Sequence, residues 1–354
     1  MYTIWSIDYL IRNDKVSDSV FDFLSNQAIN NKDPQNDDLT NPIQRSINSV
    51  RGAALDRLLK IENKKFATKL FAVTNKAIDS ETKFAVKATI AANSAYLLNI
   101  DKGRAFKVFV KLLKSDMRLV KEAMWSAGYF SNFFFSKMTF FFEAALKEKK
   151  VFKWLANLFA QAWLKGNKSS ERYLFDLLDK SNEARTEIVR IAVHPKNLIE
   201  DDGSLDIKCV RLFKYSLNKM EKEIIHQYSI AFLHFEPGMF NSLFPLLKDY
   251  SKSKIFRNSP AYFCKYLIKC CNKETVNQCA ELIDHFDKLV KTNITRGNYY
   301  DNEPLNAVLA VYNVLGTNPR DKQLKSHCMD IFDKMLQQPQ HRNAAQQATT
   351  LVEL

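Results

Sequence analysis

Apolar residues recur along this chain at i, i+3, i+4 and i+7, and no stretch alternates convincingly at period two, so the pattern predicts helices throughout. The clearest case follows Asn41-Pro42. There Val50, Ala54, Leu58 and Ile61 form one stripe, Leu55 and Leu59 widen it, and Arg51, Asp56, Arg57 and Lys60 fall on the far side. Ser49 is placed to cap this helix, because its hydroxyl can accept one of the first orphan amide hydrogens. The opening Val50-Arg51-Gly52-Ala53 returns as Val86-Lys87-Ala88, Val120-Lys121-Glu122-Ala123 and Val189-Arg190-Ile191-Ala192, at separations of 36, 34 and 69 residues. A period near that length is one helical hairpin, and hairpins of this kind bury together a face that none can bury alone. The predicted fold is all-α: a HEAT- or TPR-like α-solenoid of helical hairpins, with Val50, Val86, Val120 and Val189 at equivalent buried points.

Residues 1–40 read as an N-terminal helical leader buried through Ile4, Ile7, Leu10 and Ile11, then Val20, Phe21, Phe23 and Leu24; a polar loop spans Asn30 to Asn41. Residues 41–200 form a helical-repeat half carrying the Val-cation-small motifs. Within it, the pattern predicts a helix from Lys65 to Ala77 and another from Phe84 to Leu98. The stretch from Ala105 to Leu113 is apolar almost all round and is expected between neighbours. A helix from Met117 to Phe130 starts at an Asp116 cap, with Leu119, Val120, Ala123, Met124, Ala127 and Phe130 inward. Phe133-Phe134-Phe135 and Phe140-Phe141-Phe142 then place six rings within ten residues. Each fully buried ring contributes about 2 kcal/mol, so an interhelical core is expected, an exposed partner-receiving patch being the alternative. Helices from Trp154 to Leu164, Glu171 to Asp179 and Glu183 to Val193 follow, the last stopped by His194-Pro195.

The turn Asp201-Asp202-Gly203-Ser204 opens a C-terminal helical-repeat half, residues 201–354. Its expected helices run from Ile207 to Met220, Glu223 to Phe235, Phe240 to Tyr250 and Pro260 to Cys271, the last with Ser259 as cap and Pro260 as first helical residue. Val276, Cys279, Ala280, Ile283, Phe286, Leu289 and Val290 mark another. Helices from Pro304 to Leu315, Asp321 to Gln337 and Asn343 to Val352 close the chain.

Composition narrows the class. Apolar residues make up 46%, with 26 Phe, which is ample for a packed core. Eight Gly and nine Pro cluster into no linker, favouring one extended domain over several. No run of about 18 uncharged apolar residues exists, so no membrane span is expected. The N-terminus lacks a signal pattern, and six scattered Cys form no C-x-x-C knuckle. An intracellular, cytoplasmic setting with reduced thiols follows as the expectation. Net charge is +13, but residues 1–48 hold seven Asp against four Lys or Arg, leaving +16 on the remainder. Such a body suits an acidic protein or nucleic acid.

Candidate chemistry is thin. Gly166-Asn167-Lys168-Ser169-Ser170 lacks the adjacent Gly-Lys pair and the upstream glycine of a phosphate loop. The histidines read as isolated; His226 and His234 lie two turns apart on one helix, about 12 Å, too far to hold one zinc alone. No G-x-S-x-G elbow occurs, and Cys264 has no evident His and carboxylate companions. No catalytic, cofactor or metal residue is assigned, and the chain is not expected to be an enzyme.

Asn48-Ser49-Val50-Arg51-Gly52-Ala53-Ala54, then Trp125-Ser126-Ala127-Gly128-Tyr129-Phe130, then Cys328-Met329-Asp330-Ile331-Phe332-Asp333-Lys334-Met335-Leu336 together resemble the C-terminal helical-repeat region of bacterial antiviral STAND NTPases, the Avs group. The resemblance spans most of residues 41–354. It implies a sensor module of an antiphage defence receptor that recognises a conserved phage protein, terminase or portal, by its fold. In that family an effector and an NTPase precede the repeats; neither is among these residues, so recognition without ATP turnover is the expectation. A monomer is expected for the chain in isolation. For partner contact the sequence offers only the cations after the repeat valines: Arg51, Lys87 and Lys121. Two rival readings are a nucleic-acid-binding helical-repeat protein and a structural scaffold.

Overall fold

A computed structural model describes residues 2–35, 39–286 and 303–337. Helices account for the regular structure of these residues; the described part contains no strand, only a bridge between Ile199 and Leu205 across the Asp201–Ser204 turn. No described helix is long and apolar enough to cross a membrane.

Local chemistry sets the helix starts. Ser49 accepts the Gly52 amide at 3.2 Å and donates to the Ser46 carbonyl at 2.7 Å, opening the helix Val50–Leu59. Its approach is itself helical, Pro42–Ile47, with Pro in the first turn, where a missing N–H costs nothing. The two short axes meet so closely that a Cβ on Gly52 would lie 2.1 Å from Ser46 Oγ and 2.2 Å from the Ser46 carbonyl oxygen. Glycine is required there. Asp116 caps as expected, accepting from the Arg118 amide at 3.0 Å. Asp56, placed on the solvent side by its spacing, is instead 6% exposed. Its carboxylate is held by Arg57, by Lys60 Nζ at 2.8 Å and by Asn93 Nδ2 at 3.1 Å, and these donors offset its desolvation.

The chain divides into two compact units, Met1–Tyr173 and Leu174–Leu354. The Asp201–Ser204 turn lies within the second, where the sequence had placed the start of its C-terminal half. In the first unit Val50–Leu59, Phe84–Asn93, Met124–Phe134 and Phe152–Leu164 pack in succession, and Ala67–Ser80 packs on Lys102–Ser115. The second unit likewise packs Asn182–Ala192, Lys222–His234, Ala261–Cys270 and Glu303–Val314 in succession. Beside them run Ile207–Ser216, Phe240–Ser251, Val276–Ile283 and Pro319–Leu336. Side-chain links span nearly constant separations: Ser126 to Ala92 at 34 residues, Lys111 to Asn75, Arg185 to Glu221 and Tyr215 to Asp179 at 36, Asn93 to Asp56 and Asn99 to Glu62 at 37.

Val86, Val120 and Val189 are buried at 0%, 2% and 1% exposure, whereas Val50 is half-buried. Val50 stands in the first turn of its helix, with its N–H donated to Asp33 Oδ2 at 2.7 Å. Two long predicted helices are broken. Phe84–Asn93 tightens into a 3-10 stretch, Ser94–Asn99, and a 3-10 turn, Met117–Val120, precedes Met124–Phe134. The first unit's core is built from phenylalanine: Phe109, Phe130, Phe141, Phe142 and Phe159 are fully buried, with Phe109–Phe130 centroids at 4.5 Å and Phe142–Phe159 at 5.0 Å. Of the six clustered rings, Phe135, Phe141 and Phe142 enter this core, while Phe133 is 51% exposed. Lys102–Ser115 is not enclosed on all sides. Phe106 and Val110 are half-buried beside exposed Lys107 and Lys114, so the helix keeps one open face.

Leu10, Ile11 and Val20 of the leader are half-buried and Phe23 is exposed. Pro260 occupies the cap position rather than the first helical turn, and Ser259 Oγ bonds Ser229 Oγ at 3.1 Å instead of capping. Leu289, Val290 and the helix expected from Asn343 to Val352 lie outside the described residues.

Candidate functional site

The three cations picked from the motif end in different settings. Arg51 is not exposed: its side chain is 17% accessible, its Nε lies 3.3 Å from Glu81 Oε2, and its Nη2 donates to the Pro34 carbonyl at 3.3 Å. It ties the helix Val50–Leu59 to flanking chain. Lys87 is half-buried and reaches Ser115 Oγ at 3.4 Å. Asp116 lies beside it, held below the usual carboxylate range chiefly by the Arg118 guanidinium, with a smaller contribution from Lys87. Of the three, Lys121 alone is exposed, on a groove of about 550 Å³ whose other walls include Leu39, Phe84, Met117, Arg118 and Lys147.

The more distinctive surface lies on Met124–Phe134. Trp125, Tyr129 and Phe133 are 45%, 48% and 51% exposed, and at four-residue spacing they form one ridge along the outer side of a helix whose inner side buries Ala127 and Phe130. Gly128 lies on the packed side, where a Cβ would make ordinary contact with Trp154 at 3.6 Å. Tyr96 extends the ridge, its ring 5.4 Å from Trp125, which is itself 4.7 Å from Tyr129. At the other end Phe133 leads through Phe134 at 6.4 Å to Phe106, stacked on Phe134 at 4.4 Å. Lys102 Nζ sits 4.0 Å above the Phe133 ring. Next to Tyr96 a polar hollow of about 740 Å³ is lined by Asp8, Arg12, Arg57, Lys60 and Glu62. Its charges are largely paired within the fold, Asp8 with Arg12 at 2.8 Å and with Arg57 at 3.2 Å.

Elsewhere the reactive groups have structural settings. Burial pushes the Cys264 thiol well above its ordinary value, and burial followed by the Asp206 charge does the same to Cys209, so neither thiolate is favoured. At Gly166 the chain takes a positive φ of 90°, and Asn167 Oδ1 accepts the Ser169 amide at 3.0 Å, starting the helix Ser169–Lys180. The histidines are not all isolated. His194 and His234 rings lie 6.5 Å apart and nearly parallel, and His327 meets Asp284 at 2.5 Å. Among the described residues no group of three or more His, Cys, Asp and Glu is placed to hold a metal ion.

Sequence reasoning kept the run at Phe133 as an alternative exposed patch but passed over Trp125 and Tyr129, because it assigned the other side of the same helix. The available signal was a helix apolar on two opposed sides, Ala127 and Phe130 against Trp125, Tyr129 and Phe133. No family model matches the chain, and no curated protein or solved structure matches it.

Proposed function

We propose that the chain is a protein-recognition module: a HEAT- or TPR-like stack of helical hairpins that binds a large folded partner through the outer side of Met124–Phe134. The observation that carries this reading is the ridge of Trp125, Tyr129 and Phe133, three large rings left in water on a helix that already has a packed inner side. Monomeric proteins seldom leave such a patch without use, and Trp and Tyr are the residues that most often anchor protein contacts. The recurrence of side-chain links at 34 to 37 residues supports the hairpin stack, which presents a long surface better suited to a macromolecule than to a small ligand. Resemblance to the sensor region of antiviral STAND NTPases adds the partner class, a phage terminase or portal protein.

Pull-down with individually expressed terminase and portal proteins from several phages tests it: retention by the chain, and its loss in W125A/F133A, is the expected result. Retention of none of them, while a host protein is retained, overturns the phage reading. Nucleic acid is the second reading, favoured by residues 49–173, where 24 Lys and Arg face 10 Asp and Glu, a net of +14. A steep loss of oligonucleotide affinity with rising salt is the result that would support it.

A further inference from the structure

Resting on that reading, we infer that the partner presents an acidic amphipathic helix to the aromatic ridge, and that the docking surface continues from the ridge onto the open face of Lys102–Ser115. The ring contacts make these one band: Tyr96, Trp125 and Tyr129 lead along the helix to Phe133, then through Phe134 to Phe106. Beyond Phe106 the groove formed by Phe106, Lys107, Val110, Lys111 and Lys114, about 470 Å³, carries the apolar strip onward.

The edge of this band is cationic in a particular way. Lys102, Lys107, Lys114 and Lys137 are exposed, and none of them pairs with a carboxylate among the described residues. Lys111, by contrast, is neutralised by Asp79 at 2.7 Å. Four unneutralised ammonium groups beside an apolar strip complement Asp and Glu that flank an apolar stripe on a partner. From Trp125 to Phe133 there are eight residue steps, about 12 Å at the helical rise, which is close to the length of about 10 Å that apolar positions i, i+4 and i+7 of a partner helix cover.

Nucleic acid fits the same band less well. Stacking of bases needs free ring faces. Here Phe106 and Phe134 stack on each other with an interplanar angle of 16°, and Lys102 occupies the Phe133 face. The cations of the rim are lysines alone, whereas bidentate phosphate recognition favours arginine.

The test uses the full chain and three fluorescent probes: a Leu/Glu amphipathic helical peptide, the same peptide with Lys for Glu, and an oligothymidylate of equal charge. The acidic peptide is expected to bind at least about tenfold tighter than either other probe, and raised salt to slow its association more than it hastens dissociation. W125A/F133A and, separately, K102Q/K107Q/K114Q/K137Q should each weaken it about tenfold, and the lysine variant should leave melting unchanged because all four of its side chains are exposed. Tighter binding of the oligonucleotide, or acidic-peptide affinity indifferent to both variants, overturns the inference. The two proposals separate cleanly. A terminase or portal protein retained equally by the lysine variant refutes the acidic-helix inference and leaves the recognition reading standing; peptide binding with no phage protein retained does the reverse to the phage reading.

Discussion

The two units build similar successions of packed helices and finish them differently. Residues 1–173 carry 28 Lys and Arg against 17 Asp and Glu, a net of +11; residues 174–354 carry 24 against 22, a net of +2. Exposed aromatic side chains follow the charge. Trp5, Tyr9, Phe23, Trp125, Tyr129 and Phe133 all belong to the first unit, and among the described residues the second exposes none beyond aliphatic and Met side chains. The second unit turns its rings inward, with Tyr228, Tyr250 and Tyr266 fully buried around Phe232 and Phe263. Like charge left unpaired destabilises a compact unit. On the recognition reading proposed above, a charge surplus beside exposed aromatic rings suits the first unit to a partner, whereas the second unit's inward rings serve its own packing.

That contrast can be strained at its core first. Val120→Asp should cost on the order of 3–5 kcal/mol, because an unpaired carboxylate would enter an apolar site that is 2% exposed, while Lys121→Asp next to it should stay within about 0.5 kcal/mol. Denaturant unfolding checks both, and equal effects would mean that the buried and exposed positions of this turn are misassigned. Gly52→Ala should cost about 1–3 kcal/mol, since its Cβ would collide with backbone atoms of Ser46 that cannot swing away. Thermal unfolding at wild-type stability would show that Pro42–Ile47 can shift.

The second unit offers a finer pair. The Tyr228 hydroxyl donates to the Phe213 carbonyl at 2.7 Å and is hydrogen-bonded to Ser216 Oγ, whereas the equally buried Tyr250 hydroxyl has no hydrogen-bond partner among the described residues. Tyr228→Phe should therefore cost about 1–2 kcal/mol and Tyr250→Phe should be neutral or stabilising by about 1 kcal/mol. Matching losses in both would refute the assignment. The smallest effect is one of pH. His194 is held below its ordinary value of 6.5, first by partial desolvation and then by His234, Lys196 and Arg190. The unfolded chain thus binds the proton more readily, so stability is complete above that value and declines as pH falls through it. His194→Gln should flatten the decline between neutral and mildly acidic pH; an unchanged slope would assign it elsewhere.

What the sequence disclosed was local. Ser49 and Asp116 could be read as caps because a cap depends on a hydroxyl or carboxylate and an amide two or three residues on. The buried Val86, Val120 and Val189 followed from periodicity alone. Asp56 and Arg51 defeated the same logic, since their spacing points outward but partners distant in sequence, Asn93 and Glu81, reach them and make burial tolerable. His194 and His234, 40 residues apart, meet only through the packing of Asn182–Ala192 on Lys222–His234. Periodicity also cannot tell which of two apolar sides of a helix is covered, and for that reason the sequence offered Phe133 only within an alternative exposed patch, while its alignment with Trp125 and Tyr129 emerged from the folded chain.

One comparison bears on the central claim most directly. The affinity of the full chain for a terminase or portal protein retained in the pull-down would be measured for the wild type, for W125A/F133A in the first unit and for I207S/L233S at exposed aliphatic positions in the second. Recognition by the first unit predicts a loss of at least about tenfold for W125A/F133A and less than about twofold for I207S/L233S. The reverse order, or equal losses in both, would contradict it.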